Sequence, residues 1–296
     1  MMFIAGGTGL LGAQVVRLLT AQGLSLRVLT RDPRKAQQLS GENVEIICGA
    51  VQDRSAIEQA VAGASAVISA IQGFSGTGDS NPRTVDLQGN SALIQAAQRA
   101  GVERFILVSV HGAAPDHPIE LFRMKYAAEQ ALQASGLSWT IIRPTAYMET
   151  WTKMIGEPLV NTGKTRIFGR GVNPINFVSA SDVAQFVAWA AQETSMLGEC
   201  VEVGGPQNLS MRQVAQTIMS ATKMSGKVNA VPLPIMRLMA VLMRPLNATL
   251  ARQIQAGIVM DTLDMSFDPS EMRRRYPSMS YTNLADVVHR DFGASA

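Results

Sequence analysis

Eight residues near the N-terminus, Ala5-Gly6-Gly7-Thr8-Gly9-Leu10-Leu11-Gly12, constrain the rest of the chain. They follow the apolar run Met2-Phe3-Ile4. They open an amphipathic run, Ala13 to Gln22, whose Val15, Val16, Leu18 and Leu19 recur at helical spacing. Strand, glycine turn and helix in that order make an anion site, because amide hydrogens freed at the helix start point outward with the helix dipole behind them. Gly6 suits the sharp turn. Gly9 lets a pyrophosphate come close to the backbone, and Gly12 lets the helix lie tight on the sheet. Phosphate contacts are therefore expected from Gly6, Thr8, Gly9, Leu10, Leu11 and Gly12. The spacing is G-x-x-G-x-x-G rather than G-x-G-x-x-G, and an ordinary strand-to-helix turn is the competing reading.

Beyond the turn, strand-like and helix-like segments alternate. Apolar, β-prone runs at 25–29, 44–48, 66–70, 105–108 and 139–143 are separated by helical spacing at 34–39, 54–61, 86–100 and 120–135. This alternation predicts an α/β fold with a doubly wound parallel sheet and right-handed crossovers. Residues 73–81, rich in glycine and serine, read as a mobile loop. Past Pro144 the rhythm becomes irregular. A helix is expected at 181–192, capped by Ser181 or Asp182, and a strand at 200–203 with the main sheet as a place to rejoin. A further helix at 211–222 is opened by a Ser-x-x-Gln capping box, Ser210 to Gln213, and the apolar run 232–250 reads as helical. The expected division is a nucleotide-binding part over 1–145 and a smaller part over 146–296, some of it returning to the sheet.

The chain has 296 residues, 47% hydrophobic and 17% charged, enough to bury a large core. A net charge of +3 with no Lys/Arg run argues against nucleic acid. Cys48 and Cys200 form no CxxC and lie in apolar runs. They read as reduced core residues, and with an N-terminus that is itself the first strand they predict a cytoplasmic protein without a signal peptide. No apolar stretch reaches the ~18 residues of a membrane span. Neither metal-ligand spacing nor a Gly-x-Ser-x-Gly elbow is present, so no metal is expected. The methionine-rich run 234–244 has three readings: packing within the second part, a homodimer or partner surface, or a basic amphipathic face on a membrane.

The second strand ends in Leu29-Thr30-Arg31-Asp32. A carboxylate about 20 residues after the glycines reads a free ribose 2′-hydroxyl. Arg31 stands there instead and can pair with a 2′-phosphate, with Arg34 or Lys35 in support. This favours NADP(H) over NAD(H). The alternative leaves Arg31 solvated and Asp32 capping the next short helix. From Gly6 to Gly12, Leu29 to Pro33, Gly89-Asn90, Ala100 to Ser109, Lys125, Gly136 to Pro144 and Val178 to Ala184, the sequence resembles the NmrA-like branch of the atypical short-chain dehydrogenase/reductase superfamily. The resemblance implies a Rossmann-type fold binding NAD(P)(H) with a smaller C-terminal substrate domain. It also implies cofactor contacts from Ala70, Ile71, Gln72, Ser109, Val110, Lys125, Pro144 and Thr145. The branch holds both reductases and non-catalytic redox sensors or assembly factors. One departure is Ala50, where the family carries an acid near the adenine; Asp53 reads as a helix cap.

A second departure concerns the proton. Orthodox members place a Tyr-x-x-x-Lys pair on one helix face. Lys125 holds the lysine position, but Leu121 stands where the tyrosine belongs, and Tyr126 is about 100° round the helix. In the isoflavone-reductase-like members the lysine itself handles the proton and the ribose, so Lys125 is a catalytic candidate. The alternative is a surface pair with Glu129. Ser109 is a second catalytic candidate, able to polarise a substrate carbonyl. His111 and His117 flank a proline-containing loop, where either a proton donor or a solvated histidine fits. Tyr147, Met148, Trp151, Phe168 and Phe177 are candidates to line an apolar substrate pocket, with plain core as the other reading. The expected function is an NADP(H)-dependent reductase of a hydrophobic quinone-like or enone-like molecule. Its rival is a non-catalytic NADP(H) sensor or assembly factor.

Overall fold

The computed structural model describes residues 1–39, 41 and 43–293. The chain forms two compact units. One comprises Met1–Pro144 with Val183–Glu202, the other Thr145–Asp182 with the residues from Val203 on.

The first unit begins with strand β1 (Met2–Ala5), helix α1 (Leu10–Ala21), β2 (Leu26–Thr30), α2 (Pro33–Gln37), β3 (Val44–Cys48) and α3 (Arg54–Val61). It continues with β4 (Ala66–Ser69), a π-helix (Pro82–Gly89) running directly into α4 (Asn90–Arg99), β5 (Arg104–Val108), α5 (Glu120–Gln133) and β6 (Ser138–Pro144). The second half adds β7 (Ala146–Tyr147), α6 (Met148–Trp151), a short π-helical turn (Thr152–Gly156), α7 (Glu157–Thr162), β8 (Lys164–Phe168) and β9 (Ile175–Val178). Helix α8 (Ala180–Gln192) and β10 (Glu199–Val203) follow, then β11 (Gln207–Leu209), α9 (Met211–Ala221) and β12 (Lys227–Val231). The chain closes with α10 (Leu233–Met243), α11 (Ala248–Thr262), α12 (Ser270–Arg275) and α13 (Leu284–Phe292).

Seven strands form the main sheet in the order β10-β6-β5-β4-β1-β2-β3. The pairs from β6 through β3 are all parallel. The doubly wound parallel arrangement expected from the alternation is present, and it is the Rossmann-type fold that the resemblance implies. The order reverses between β1 and β4, so the carboxyl end of β1 lies at the switch point where such sheets bind ligands. β4 is buried at every residue, as a central strand of Ala66-Val67-Ile68-Ser69 should be. Phe3, Leu93, Phe105 and Leu107 pack into its core.

Several expectations are corrected. Cys48 and Cys200 are exposed, not core residues. β3 and β10 are the two edge strands, and Ile47 and Val201, next along each strand, take the core-facing side. The helix expected from residue 86 begins at Pro82 and is π-wound for its first eight residues. Asn81 and Thr84 cap it reciprocally. The strand at 200–203 does rejoin the main sheet. The run 232–250 is two helices, because Pro245 cannot donate to the turn before it and Asn247 caps α11 by accepting from the Leu250 amide at 3.0 Å. At the start of α8, Ser179 accepts from the Ser181 amide and the Glu149 carboxylate accepts from the Ala180 amide. Asp182 instead accepts from the Thr282 amide and hydroxyl.

In the second unit β11-β9-β7 and β12-β8 form two small sheets. Their core contains Met148, Ile155, Phe177, Val214 and Val287. Met148 and Phe177 have no exposed surface, so both are core and not pocket lining. The Ser210–Gln213 capping box opens α9 as expected.

Candidate dinucleotide site

The turn after β1 divides its glycines by task. Gly6 has φ +85°, and a Cβ there would lie 2.6 Å from the Ala70 carbonyl oxygen on the neighbouring strand end. A Cβ on Gly12 would lie 2.1 Å from the Gly6 oxygen, so the close seating of α1 on the turn depends on it. Gly9 differs: its Cβ would meet only the Gly6 oxygen, at 3.3 Å. Gly9 is exposed, and so is Leu10. α1 has no side-chain cap and no acid in its first turn. In the same unit α2, α3 and the π-helix are capped by Asp32, Asp53 and Asn81. The first amides of α1, at Leu10, Leu11 and Gly12, are thus left to an anion. Thr8 lies beside them, its hydroxyl 3.5 Å from that of Thr30.

At the end of β2 the Asp32 carboxylate accepts from the Arg34 amide at 3.1 Å and caps α2. It is committed to its own helix. The exposed Arg31 guanidinium donates to Ser80 Oγ at 2.6 Å, and Gln52 donates to the Asp79 carbonyl. The loop 73–81 is tied at its start as well, where the Gly73 amide donates to Asp86 Oδ2 at 2.8 Å. Asp53 caps α3, accepting from the Ser55 and Ala56 amides.

Lys125 is buried under the ends of β4 and β5. Its Nζ donates to the Ile71 and Val108 carbonyls, both at 2.8 Å, and lies 3.1 Å from Asp86 Oδ1. Two ammonium hydrogens go to these carbonyls, and the Asp86 contact is an ion pair. Burial pushes the Asp86 carboxyl up, and Lys125 and the Gly73 amide oppose that shift. Next to this pair Ser69 Oγ donates to Asn90 Oδ1, and Asn90 Nδ2 donates to the Asp86 carbonyl, each at 2.6 Å. The π-helix, α5 and two strand ends are therefore joined by one buried polar cluster. Glu129 is not the partner of Lys125.

A second cluster lies at the ends of β5 and β6. Arg143 grips Glu129 through two bonds, at 2.9 and 2.6 Å, which together hold its own charge state firmly. Its third contact, 3.1 Å, goes to Glu202 Oε1 on β10, while Glu202 Oε2 lies 2.5 Å from His111 Nδ1. Burial pushes the Glu202 carboxyl up, but His111 and Arg143 more than offset it and hold the group below its usual value. The Ser109 hydroxyl, at the end of β5, is buried without a hydrogen-bond partner. His117 stacks on Phe122 at 4.0 Å and accepts from the Ile119 amide, so it organises the start of α5 and is not a solvated loop residue.

Most of the remaining expected residues have local partners. Gln72 is exposed, and its Oε1 accepts from the Phe74 amide. The Ile71 side chain is core, and the Ala70 amide donates to Ala5. Val110 is half-buried, and the Pro144 carbonyl accepts from the His111 amide at 2.8 Å. In the second unit Thr145 Oγ1 donates to Asn176. The Tyr147 hydroxyl is buried without a partner, and burial raises its pKa. Trp151 meets Phe177 edge-on at 6.4 Å, and Phe168 packs against the Met236 cluster. Sequence reasoning missed Asp86 and Glu202. The charged Arg143 inside an apolar strand was the one local sign that a buried partner must exist.

The sequence profile of a family described as NAD(P)H-binding matches residues 6–194. The chain belongs to this NAD(P)H-binding family. An NAD(P)H azoreductase of Xenophilus azovorans is 30% identical over 222 residues, 75% of this chain and 73% of that protein. A photosystem II assembly factor of Synechocystis is 27% identical over 236 residues, 80% and 72% of the two chains. An NADPH-dependent quinone oxidoreductase of Escherichia coli, solved with NADPH, superposes with a TM-score of 0.79 at 21% identity, covering 99% of this chain and all of that one. The triphenylmethane reductase of Citrobacter sp., solved with NADP(H), gives 0.79 at 18%, covering 98% and 99%. At those identities the two structures establish the shared fold. The NAD(P)H-binding family needs an open diphosphate cradle, and the uncapped α1 start beside Gly9 fits one.

Proposed function

We propose that the chain is an NADPH-dependent reductase of hydrophobic conjugated acceptors, such as quinones, enones or azo compounds. The observation that carries this reading is the open, uncapped start of α1 at the sheet's switch point. Its azoreductase relative supports the reaction class. Leu10, Leu11 and Gly12 would hold the diphosphate through backbone amides, with Gly9 leaving room for its close approach, Gly6 shaping the turn and Thr8 at its rim. Arg31 would take the 2′-phosphate, since Asp32 is spent on capping α2. The strand ends at Ala70 to Gln72 and at Ser109 and Val110 would flank the rest of the dinucleotide.

When bound, the dinucleotide supplies a hydride to the acceptor. The chain must then supply a proton. His111 would give it from Nε2, with Glu202 fixing the ring through Nδ1. The unpartnered Ser109 hydroxyl would polarise the acceptor's oxygen or nitrogen, or bond the carboxamide side of the cofactor. Lys125 acts as a positioning residue in this scheme, since it fixes the two strand ends that carry these groups.

A non-catalytic NADPH-binding role is the second reading. Leu121 in the tyrosine position and the burial of Lys125 against Asp86 favour it. Incubating the protein with NADPH and a panel of quinones, enones and azo dyes, while following NADPH absorbance, separates the two. Turnover lost in His111→Asn supports the reductase. Saturable NADPH binding with no acceptor reduced supports the second reading.

A further inference from the structure

Helix α10 carries an apolar face that the fold leaves uncovered. Its inner side is Met236, packed on Phe168, Ile254 and Ile258. On the outer side Ile235, Leu238, Val241 and Leu242 are 50–70% exposed, and Leu246 just beyond the helix is 77% exposed. Of twelve large apolar side chains exposed among the described residues, six lie between Ile235 and Leu246. Packing within the unit therefore accounts for only one face of this methionine-rich run. A patch of this kind marks a surface that meets something apolar.

Charge decides between candidate occupants. Arg237 and Arg244, seven residues apart, fall on one edge of the outer face. From Val203 to Met260 the chain has no Asp or Glu, while Arg212, Lys223, Lys227, Arg237, Arg244 and Arg252 are all basic. A second copy docking through the same face would bring arginine to arginine, with no carboxylate in the segment to pair them. An anionic lipid surface offers the opposite: phosphate for the arginines and acyl chain for the leucines. Among the described residues no helix is long and apolar enough to cross a membrane. α10, about 16 Å long, can only lie along the surface.

We propose that α10 and Leu246 dock this protein on the headgroup region of an anionic phospholipid bilayer, with Leu238, Val241 and Leu242 inserted and Arg237 and Arg244 reaching up to phosphate. The inference is independent of whether the first unit performs a reduction.

Flotation of the full chain with vesicles tests it. Phosphatidylcholine vesicles containing phosphatidylglycerol should bind the protein roughly tenfold more tightly than phosphatidylcholine alone, with most of the difference lost in about 0.5 M salt. Leu238→Glu/Val241→Glu should abolish binding, and Arg237→Glu/Arg244→Glu should remove the lipid selectivity. Circular dichroism verifies that each variant folds. Leu238→Trp gives a reading that needs no disruptive change: its emission should shift to the blue on phosphatidylglycerol vesicles. No flotation of the native chain, or unaltered flotation of a folded Leu238→Glu/Val241→Glu variant, overturns the proposal. So does a concentration-dependent dimer in sedimentation equilibrium that Leu238→Glu dissolves while vesicles bind nothing.

Discussion

The Lys125 ammonium and the Asp86 carboxylate lie 3.1 Å apart with 4% and 0% of their side chains exposed. The lysine also donates to the Ile71 and Val108 carbonyls. One cation thus holds the π-helix against the ends of two central strands. Lys125→Met would leave Asp86 buried without its counter-ion and remove the lysine's bonds to two carbonyls. Breaking such a pair costs about 3–5 kcal/mol. Chemical denaturation should show a loss of that size. Lys125→Met/Asp86→Leu should recover much of it, because no lone charge remains. A Lys125 that acted only on a bound cofactor would leave the apo protein's stability unchanged.

Gly9 and Gly12 should respond in opposite ways to substitution. Gly9 has the extended backbone of an N-cap residue, φ −81° and ψ 175°. Gly9→Asp should keep or slightly raise the melting temperature, since a carboxylate suits a helix start. It should weaken NADPH binding by roughly a hundredfold, about 2.7 kcal/mol, because it sets a like charge where the diphosphate belongs. Gly12→Ala should instead destabilise the fold by about 1–3 kcal/mol by overpacking against the Gly6 carbonyl. Calorimetric titration and thermal melts read the two effects separately.

His111 and Glu202 form the pair on which proton delivery is proposed to depend. His111→Asn should lower turnover by roughly a hundredfold with little change in NADPH affinity, the lower end of what a general acid contributes. Glu202→Gln should lower turnover less and displace its pH profile. The same carboxylate gives a stability prediction with a definite sign. Its folded pKa lies below the ordinary 4.5. Its contribution is therefore complete above pH 4.5 and is lost as pH falls through the folded value. In acid melts Glu202→Gln should flatten that part of the stability curve. An unchanged curve would show that the His111 and Arg143 contacts do not stabilise the charged form.

Arg31 carries the expected preference for the phosphorylated cofactor. A charge-assisted bond to phosphate is worth about 1.5–3 kcal/mol, so Arg31→Ala should weaken NADPH about 10- to 100-fold and leave NADH nearly unaffected. Equal losses for both cofactors would place Arg31 outside the 2′-phosphate site.

What could be read from the sequence was local. The glycine turn, the alternation of strands and helices, and the caps at Asp53 and Ser210 each depend on residues within a few positions of one another. Asp86, Glu202 and the burial of Lys125 do not. Glu202 reaches His111 only because β10 joins the sheet next to β6, and no periodicity near residue 202 announces that neighbour. Asp86 was expected at the first turn of a helix, where an acid is unremarkable. The π-winding from Pro82 and the lysine on α5 give it a buried role. The cysteines misled for a related reason: an apolar run marks a strand, but not whether that strand has neighbours on both sides.

Cys48 and Cys200 mark the two margins of the same sheet, six strand spacings apart, which is roughly 30 Å. Partial burial raises the Cys200 thiol's pKa, so its thiolate fraction at neutral pH is below that of an ordinary cysteine. The chain thereby carries a native pair of spectroscopic attachment points at a distance suited to energy transfer or paired spin labels. Any opening or shearing of the layer on nucleotide binding can be measured between them without introducing a foreign residue.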